Sequence, residues 1–287
     1  MLELFDELIN IITQNKHALK DYVLKYFAHL VQKPTENPNV SLIITGEKGV
    51  GKDTLVDLLG VYVIGKVYFH NYQSNHQFFD KYDTNRKYKF LVKLEEADRK
   101  YFLEDASLLK SLITARNNTF NPKGMPSFDC ENFIRYIFTT NKANCADMKG
   151  GERRFVICPC SSQRKGDFKF WDEVYSTLYT NEAGRIIADY LLSFNLDDYN
   201  PRKQPENDVQ DSVVESEKNE LDLFIEQLDS NEYTPTELFT KYRDFCIEKE
   251  LFYVKTTIGF GKKLLNYVVR GSISKRKSSG EWLYKKV

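Results

Sequence analysis

A glycine-rich run, Gly46-Glu47-Lys48-Gly49-Val50-Gly51-Lys52-Asp53-Thr54, follows the apolar stretch VSLIIT (40–45) and leads into DTLVDLLGVYVIG, which reads as a helix. Glycines let a backbone curl until several N–H groups face one anion, and the helix behind them turns its positive end to the same place. A lysine closing such a loop neutralises β- and γ-phosphates, so Gly46 to Thr54 read as a P-loop for a nucleoside triphosphate, with Lys52 as its cation. The usual loop places Ser or Thr after the lysine as a magnesium ligand. This chain has Asp53 there and Thr54 next, so either Asp53, directly or through water, or Thr54 is expected to serve the metal.

A second constellation is Phe90-Leu91-Val92-Lys93-Leu94-Glu95-Glu96, an apolar strand ending in paired acids, with Lys93 interrupting the apolar run. After a P-loop, this pattern assigns Glu95 to magnesium and Glu96 to polarising the attacking water. Thr139-Thr140-Asn141 ends another apolar strand and puts Asn141 beside a γ-phosphate. Gly150-Gly151-Glu152-Arg153-Arg154-Phe155 holds paired arginines suited to reaching a neighbouring subunit's phosphate, as Arg153 or Arg154.

Other residues suit a polyanion. Lys123, in the turn Asn121-Pro122-Lys123-Gly124, is placed to meet a nucleic-acid backbone. Net charge is zero (41 basic, 41 acidic), yet residues 196–232 carry twelve acids and three bases, while 255–287 carry nine bases and one acid. Within that basic end, Lys262, Lys263, Lys275, Arg276 and Lys277 are expected to track phosphates. Trp282 and Tyr284 are expected in the core of a wing rather than as stacking platforms.

These residues must be positioned by elements of alternating type. Residues 2–32 read as helix, closed by Pro34 and Pro38. VSLIIT, FLVKL (90–94), FIRYIFTT (133–140) and RFVIC (154–158) read as buried strands, with helices at 103–115, about 168–179 and 182–194. That alternation implies a parallel α/β sheet. The polar stretch from Asp197 reads as an exposed linker. Three short helices and a hairpin turning at Ser278-Ser279-Gly280 then suggest a winged helix. The expected division is a helical segment at 1–36, a P-loop core at 37–196, a linker at 197–217 and a winged-helix-like domain at 218–287. No stretch reaches the roughly 18 apolar residues of a membrane span. Five cysteines with no CxxC pair read as free thiols in a reducing, intracellular compartment.

In this order GEKGVGKDT, FLVKLEEAD, LLKSLITARNNTFNPKG, YIFTTN and GERRF resemble superfamily 3 helicases, in particular the helicase part of viral, phage and mobile-element primase–helicases. The resemblance covers roughly residues 20–195. It implies an AAA+-like core assembled as a ring, usually a hexamer, that hydrolyses ATP with Mg²⁺ at subunit interfaces and moves on single-stranded or forked DNA. It matches Lys52 to the loop lysine, Glu95 and Glu96 to the paired acids, and Lys123 to the DNA-contacting hairpin. It further matches Asn141 to the polar sensor and Arg153 or Arg154, with Arg154 favoured, to the arginine finger. It also implies a primase or polymerase module in the same longer chain, for which the residues before position 40 are too few. Helix 2–32 would then serve as a collar for ring assembly. The competing expectations are an AAA+ initiator or loader that binds DNA without unwinding it, and a small-molecule kinase.

Overall fold

The computed structural model describes all residues except Ala143, 147–151, Glu217 and Ser279. Two helices open the chain, α1 (Leu2–Thr13) and α2 (His17–Gln32). The single helix expected over 2–32 is broken because Gln14 and Asn15 take left-handed backbone angles, which ends α1 and reverses the chain. Neither helix stands apart. Phe5, Leu8 and Ile12 of α1 and Val23, Tyr26 and Phe27 of α2 share one core with the sheet, so the segment at 1–36 is an integral layer of the P-loop unit. Each such fully buried side chain contributes about 1.5–3 kcal/mol.

The sheet comprises β1 (Ser41–Thr45), β2 (Phe69–Tyr72), β3 (Leu91–Leu94), β6 (Arg135–Thr140) and β7 (Phe155–Pro159), in the order β2-β3-β6-β1-β7 and all parallel. β1, β3, β6 and β7 are buried at every position, as befits parallel strands covered on both faces. Leu42 pairs with Ile137 and Leu91 with Arg135, so the carboxyl ends of β1, β3 and β6 fall on one edge. Between β3 and β6 lie α5 (Arg99–Glu104), α6 (Ala106–Thr114) and an antiparallel hairpin, β4 (Asn117–Phe120) with β5 (Phe128–Glu131). The helix expected over 103–115 is therefore two, parted at Asp105, whose backbone is non-helical.

α3 (Lys52–Leu58) runs from the P-loop into a π-helical turn, Leu59–Val63, and α4 (Asn75–Phe78) follows β2. Behind β7 come α7 (Phe168–Leu178) and α8 (Asn181–Leu192). Gly184 of α8 lies so close to the π turn that a Cβ there would sit 2.1 Å from the carbonyl oxygen of Tyr62. Arg135, fully buried in β6, ties α2 to the sheet. Its guanidinium donates to the carbonyls of Pro34 (2.9 Å), Lys33 (2.7 Å), His29 (3.2 Å) and Phe133 (3.0 Å), occupying oxygens that the helix end leaves open.

The expected linker is structured in its second half. Gln204 donates to the carbonyls of Arg153 and Phe155, Asn207 donates to that of Ile157, and Gln210 accepts from the Ile157 amide. These amides cover the open edge of β7, and α9 (Asp208–Ser216) follows. Side-chain amides that stand in for a strand look like solvated linker in a sequence, and they and α9 are where 197–217 departs from the expected linker.

The chain divides into two compact units, Met1–Val213 and Val214–Val287. The second contains α10 (Glu220–Gln227), β8 (Glu232–Tyr233), α11 (Pro235–Glu248), α12 (Thr257–Val269), β9 (Ile273–Ser278) and β10 (Glu281–Lys286). β8-β10-β9 form an antiparallel sheet, completing a winged-helix-like arrangement around Leu238, Tyr242, Phe260 and Leu264. Capping boxes at Asn219/Asp222 and Thr234/Glu237 start α10 and α11.

Candidate functional site

The carboxyl edge of the sheet holds a cleft of about 350 Å³. The P-loop lines it with Lys48, Gly49, Gly51, Lys52, Asp53 and Thr54, the end of β3 with Glu96, and the end of β6 with Thr139, Thr140 and Asn141. Gly51 has φ 85°, and a Cβ on it would meet the Trp171 ring at 2.1 Å, so only glycine fits. Trp171 and Tyr175 of α7 form the remaining wall. Nothing in the sequence singled them out, because apolar aromatics at helical spacing read as core.

Lys52 is the centre of the cleft. Its ammonium donates to the carbonyls of Gly46 and Glu47 and to Oδ1 of Asn141, each at 2.8 Å. Burial holds its pKa below the usual lysine value. Glu47 pairs with Lys165, while Lys48 and Gly49 are exposed and Val50 is buried in the core. The Thr54 hydroxyl is spent on Tyr175 (3.2 Å) and the Thr54 carbonyl on the Tyr179 hydroxyl (2.8 Å). Asp53, by contrast, accepts from Thr139 Oγ1 at 2.8 Å, which leaves its second oxygen near the cleft.

The paired acids point different ways. Glu96 enters the cleft from a left-handed backbone (φ 49°), a costly conformation for a non-glycine residue. Asn75 steadies this turn, donating to the Glu96 carbonyl (3.0 Å) and accepting from the Asp98 amide (3.1 Å). Glu95 lies behind, accepting from Asn71 (2.6 Å) and pairing with Lys93 (2.8 Å). Burial opposes ionisation of Glu95, but Lys93 and Asn71 outweigh it and lower its pKa. The Lys93 that broke the apolar pattern is fully buried, with its ammonium among Asp57, Glu95 and Asp53. Burial disfavours that charge, yet the carboxylates raise the lysine pKa above its usual value. Burial raises the pKa of Asp57.

The remaining candidates lie elsewhere. Arg153 and Arg154 precede β7, at the amino edge of the sheet and away from the cleft, and Gly150 and Gly151 lie outside the described residues. Arg154 is engaged by both oxygens of Glu152 at 2.9 Å, whereas Arg153 is exposed. Lys123 is exposed at the tip of the β4–β5 hairpin. In the second unit, Lys262 and Lys263 lie exposed on α12, with Lys263 paired to Glu220. Arg276 grips Glu232, Lys275 lies 4.2 Å over the Trp282 ring, and Lys277 is exposed. Tyr284 is buried as expected, but Trp282 is 45% exposed, because the wing presents it to solvent beneath Lys275. Of the hairpin turn, Ser279 lies outside the described residues.

Among the described residues no group of three or more His, Cys, Asp or Glu converges as a metal cage. Hard oxygen donors from Asp53 and Glu95 nevertheless suit magnesium, which keeps waters and takes few protein carboxylates beside substrate phosphates.

Sheet order, P-loop and cleft define an α/β P-loop fold of the AAA+-like kind, with a winged-helix-like second unit. A family model described as "Family of unknown function (DUF5906)" matches residues 44–154. The DNA Primase-polymerase of Nitratiruptor phage NrS-1 is 26% identical over 192 residues, covering 65% of this chain and 26% of that protein. The chain thus spans about a quarter of the length of this curated relative. The apo structure of the NrS-1 C-terminal region superposes with a TM-score of 0.75 at 19% identity, covering 99% of this chain and 75% of that one. Its A form gives 0.73 at 18% identity, covering 100% and 76%. The whole fold, second unit included, is therefore shared with that region.

Proposed function

We propose that this chain is an ATP-driven DNA helicase of superfamily 3 type, working in replication as a ring oligomer, with a hexamer as the expected size. The observation that carries the reading is Lys52, held between the P-loop carbonyls and Asn141 in a cleft that Glu96 enters. The loop N–H groups and Lys52 bind the β- and γ-phosphates. Asp53 and Glu95 would hold Mg²⁺, which would supply positive charge against the phosphates. Glu96 accepts a proton from the attacking water, and Asn141 orients that water against the γ-phosphate. Trp171 and Tyr175 close the side of the cleft against solvent.

Arg153 and Arg154 lie too far round the sheet to serve their own cleft, so in this reading one of them completes a neighbour's site. Lys123 at the hairpin tip contacts single-stranded DNA. Lys262, Lys263, Lys275, Arg276 and Lys277 contact phosphates through the second unit. The similarity to a phage DNA Primase-polymerase supports work beside a priming or polymerising module. The five free cysteines suit a reducing intracellular compartment.

The winged-helix-like unit favours a second reading, an initiator or loader that grips DNA without unwinding it. Strand displacement on a forked duplex with ATP and magnesium separates the two. Release of the displaced strand by wild type but not by Lys52→Ala supports the helicase. ATP hydrolysis without release favours the loader.

A further inference from the structure

The two departures from the usual pattern of such a site meet in space. Asp53 stands where a P-loop hydroxyl is expected, and Lys93 stands in a strand that is otherwise apolar. The fully buried Lys93 Nζ lies 2.7 Å from Asp57, 2.8 Å from Glu95 and 3.4 Å from Asp53. Asp53 and Asp57 sit one turn apart on α3 and face β3 together. Of the three carboxylates, Asp53 is held most loosely by the ammonium, and it is the one that lines the cleft beside Lys52. A buried ammonium persists only where carboxylates pair with it, so the cluster was built as a unit.

We propose that Lys93 is a positioning residue that sets the magnesium demand of the nucleotide site by sharing the Asp53 carboxylate with the incoming cation. The inference rests on the nucleotide-site reading above. An ammonium against Asp53 subtracts from the pull of that carboxylate on a divalent cation. It also offsets the repulsion between Asp53 and a triphosphate. Without Lys93 the carboxylates draw magnesium harder. With serine at position 53 the ammonium remains and repels the metal. The two single changes therefore move magnesium demand in opposite directions, and the double change restores the ordinary hydroxyl beside an apolar strand. A purely structural ion pair behaves differently, since either single change would then weaken the site in the same direction, in step with stability.

The test is binding of a fluorescent ATP analogue by the full chain as magnesium is titrated, for wild type, Lys93→Met, Asp53→Ser and the double variant, each with a thermal melt. Manganese binding without nucleotide, read by electron paramagnetic resonance, is measured alongside. Half-saturating magnesium is expected to fall about tenfold in Lys93→Met and to rise about tenfold in Asp53→Ser. In the double variant it returns to within about threefold of wild type. Lys93→Met also binds manganese more tightly than wild type. Unchanged magnesium demand in the folded single variants, or shifts in one direction for both, overturns the proposal. If Lys93→Met does not fold, Lys93→Gln takes its place, with the same fall in half-saturating magnesium expected and an unshifted or raised value overturning the proposal. A wild type that binds no nucleotide at any magnesium concentration removes the underlying reading as well. A wild type that binds, with variants that do not shift, removes this inference only.

Discussion

Lys52 donates from Nζ to Oδ1 of Asn141 across 2.8 Å, joining the end of the P-loop to the end of β6. The contact makes Asn141 a gauge of what occupies the cleft, because a γ-phosphate that draws the ammonium away also frees the amide. Asn141→Ala is expected to bind nucleotide within about threefold of wild type while hydrolysis falls about a hundredfold. Equilibrium binding and phosphate release measured on the same preparation check this. Equal losses in both would make Asn141 a mere support for Lys52.

His29 supplies a pH dependence with a defined sign. Its Nδ1 lies 2.9 Å from the buried guanidinium of Arg135, and burial together with that neighbour lowers its pKa to about 4. In the unfolded chain the imidazole titrates near 6.5. Between those values the unfolded state binds more protons, so stability is full above about pH 6.5 and declines as pH falls towards 4. The expected loss by pH 4 is about 3 kcal/mol. Melts of wild type and His29→Gln across this range check it, since the variant should lose less stability on acidification.

How much was legible in the sequence follows from where each signal resides. The P-loop, β1, β3, β6 and β7 declared themselves because buried parallel strands are continuous apolar runs and the loop needs glycine at fixed places. β2, whose Phe69, His70 and Asn71 are only half-buried, carries no such run and was missed. The β4–β5 hairpin carries no apolar run, since β4 is Asn117-Asn118-Thr119-Phe120, so only the resemblance at Lys123 pointed to a hairpin there and the residues gave no strand. Lys93 looked like a flaw because its partners Asp53 and Asp57 lie far off in sequence, and only folding brings them to it. Trp171 is reported by its contact with Gly51, which no spacing rule encodes.

Arg153 and Arg154 separate by their partners. Arg154 is held by Glu152, and that grip fixes the entry into β7, whereas Arg153 extends into solvent. Arg153→Ala is accordingly expected to leave the melting temperature within about 2 °C and to reduce hydrolysis at least tenfold where subunits associate. Mixing it with a Lys52→Ala protein should restore part of the activity, because each mutant subunit supplies what the other lacks. No recovery on mixing would assign the arginine to the wrong surface. Arg154→Ala should instead lower stability by about 1–2 kcal/mol, since it strips the two-toothed guanidinium from the buried Glu152, which then keeps only Lys110 at 3.7 Å and the amide of residue 154.

The most direct measurement is magnesium-dependent ATP hydrolysis by the full chain beside Lys52→Ala, with single-stranded DNA present and absent. Hydrolysis by wild type that falls about a hundredfold or more in the variant, with the fold intact by circular dichroism, is the result the account predicts. Equal rates in the two proteins, or a folded wild type that neither binds nor hydrolyses ATP, would contradict it.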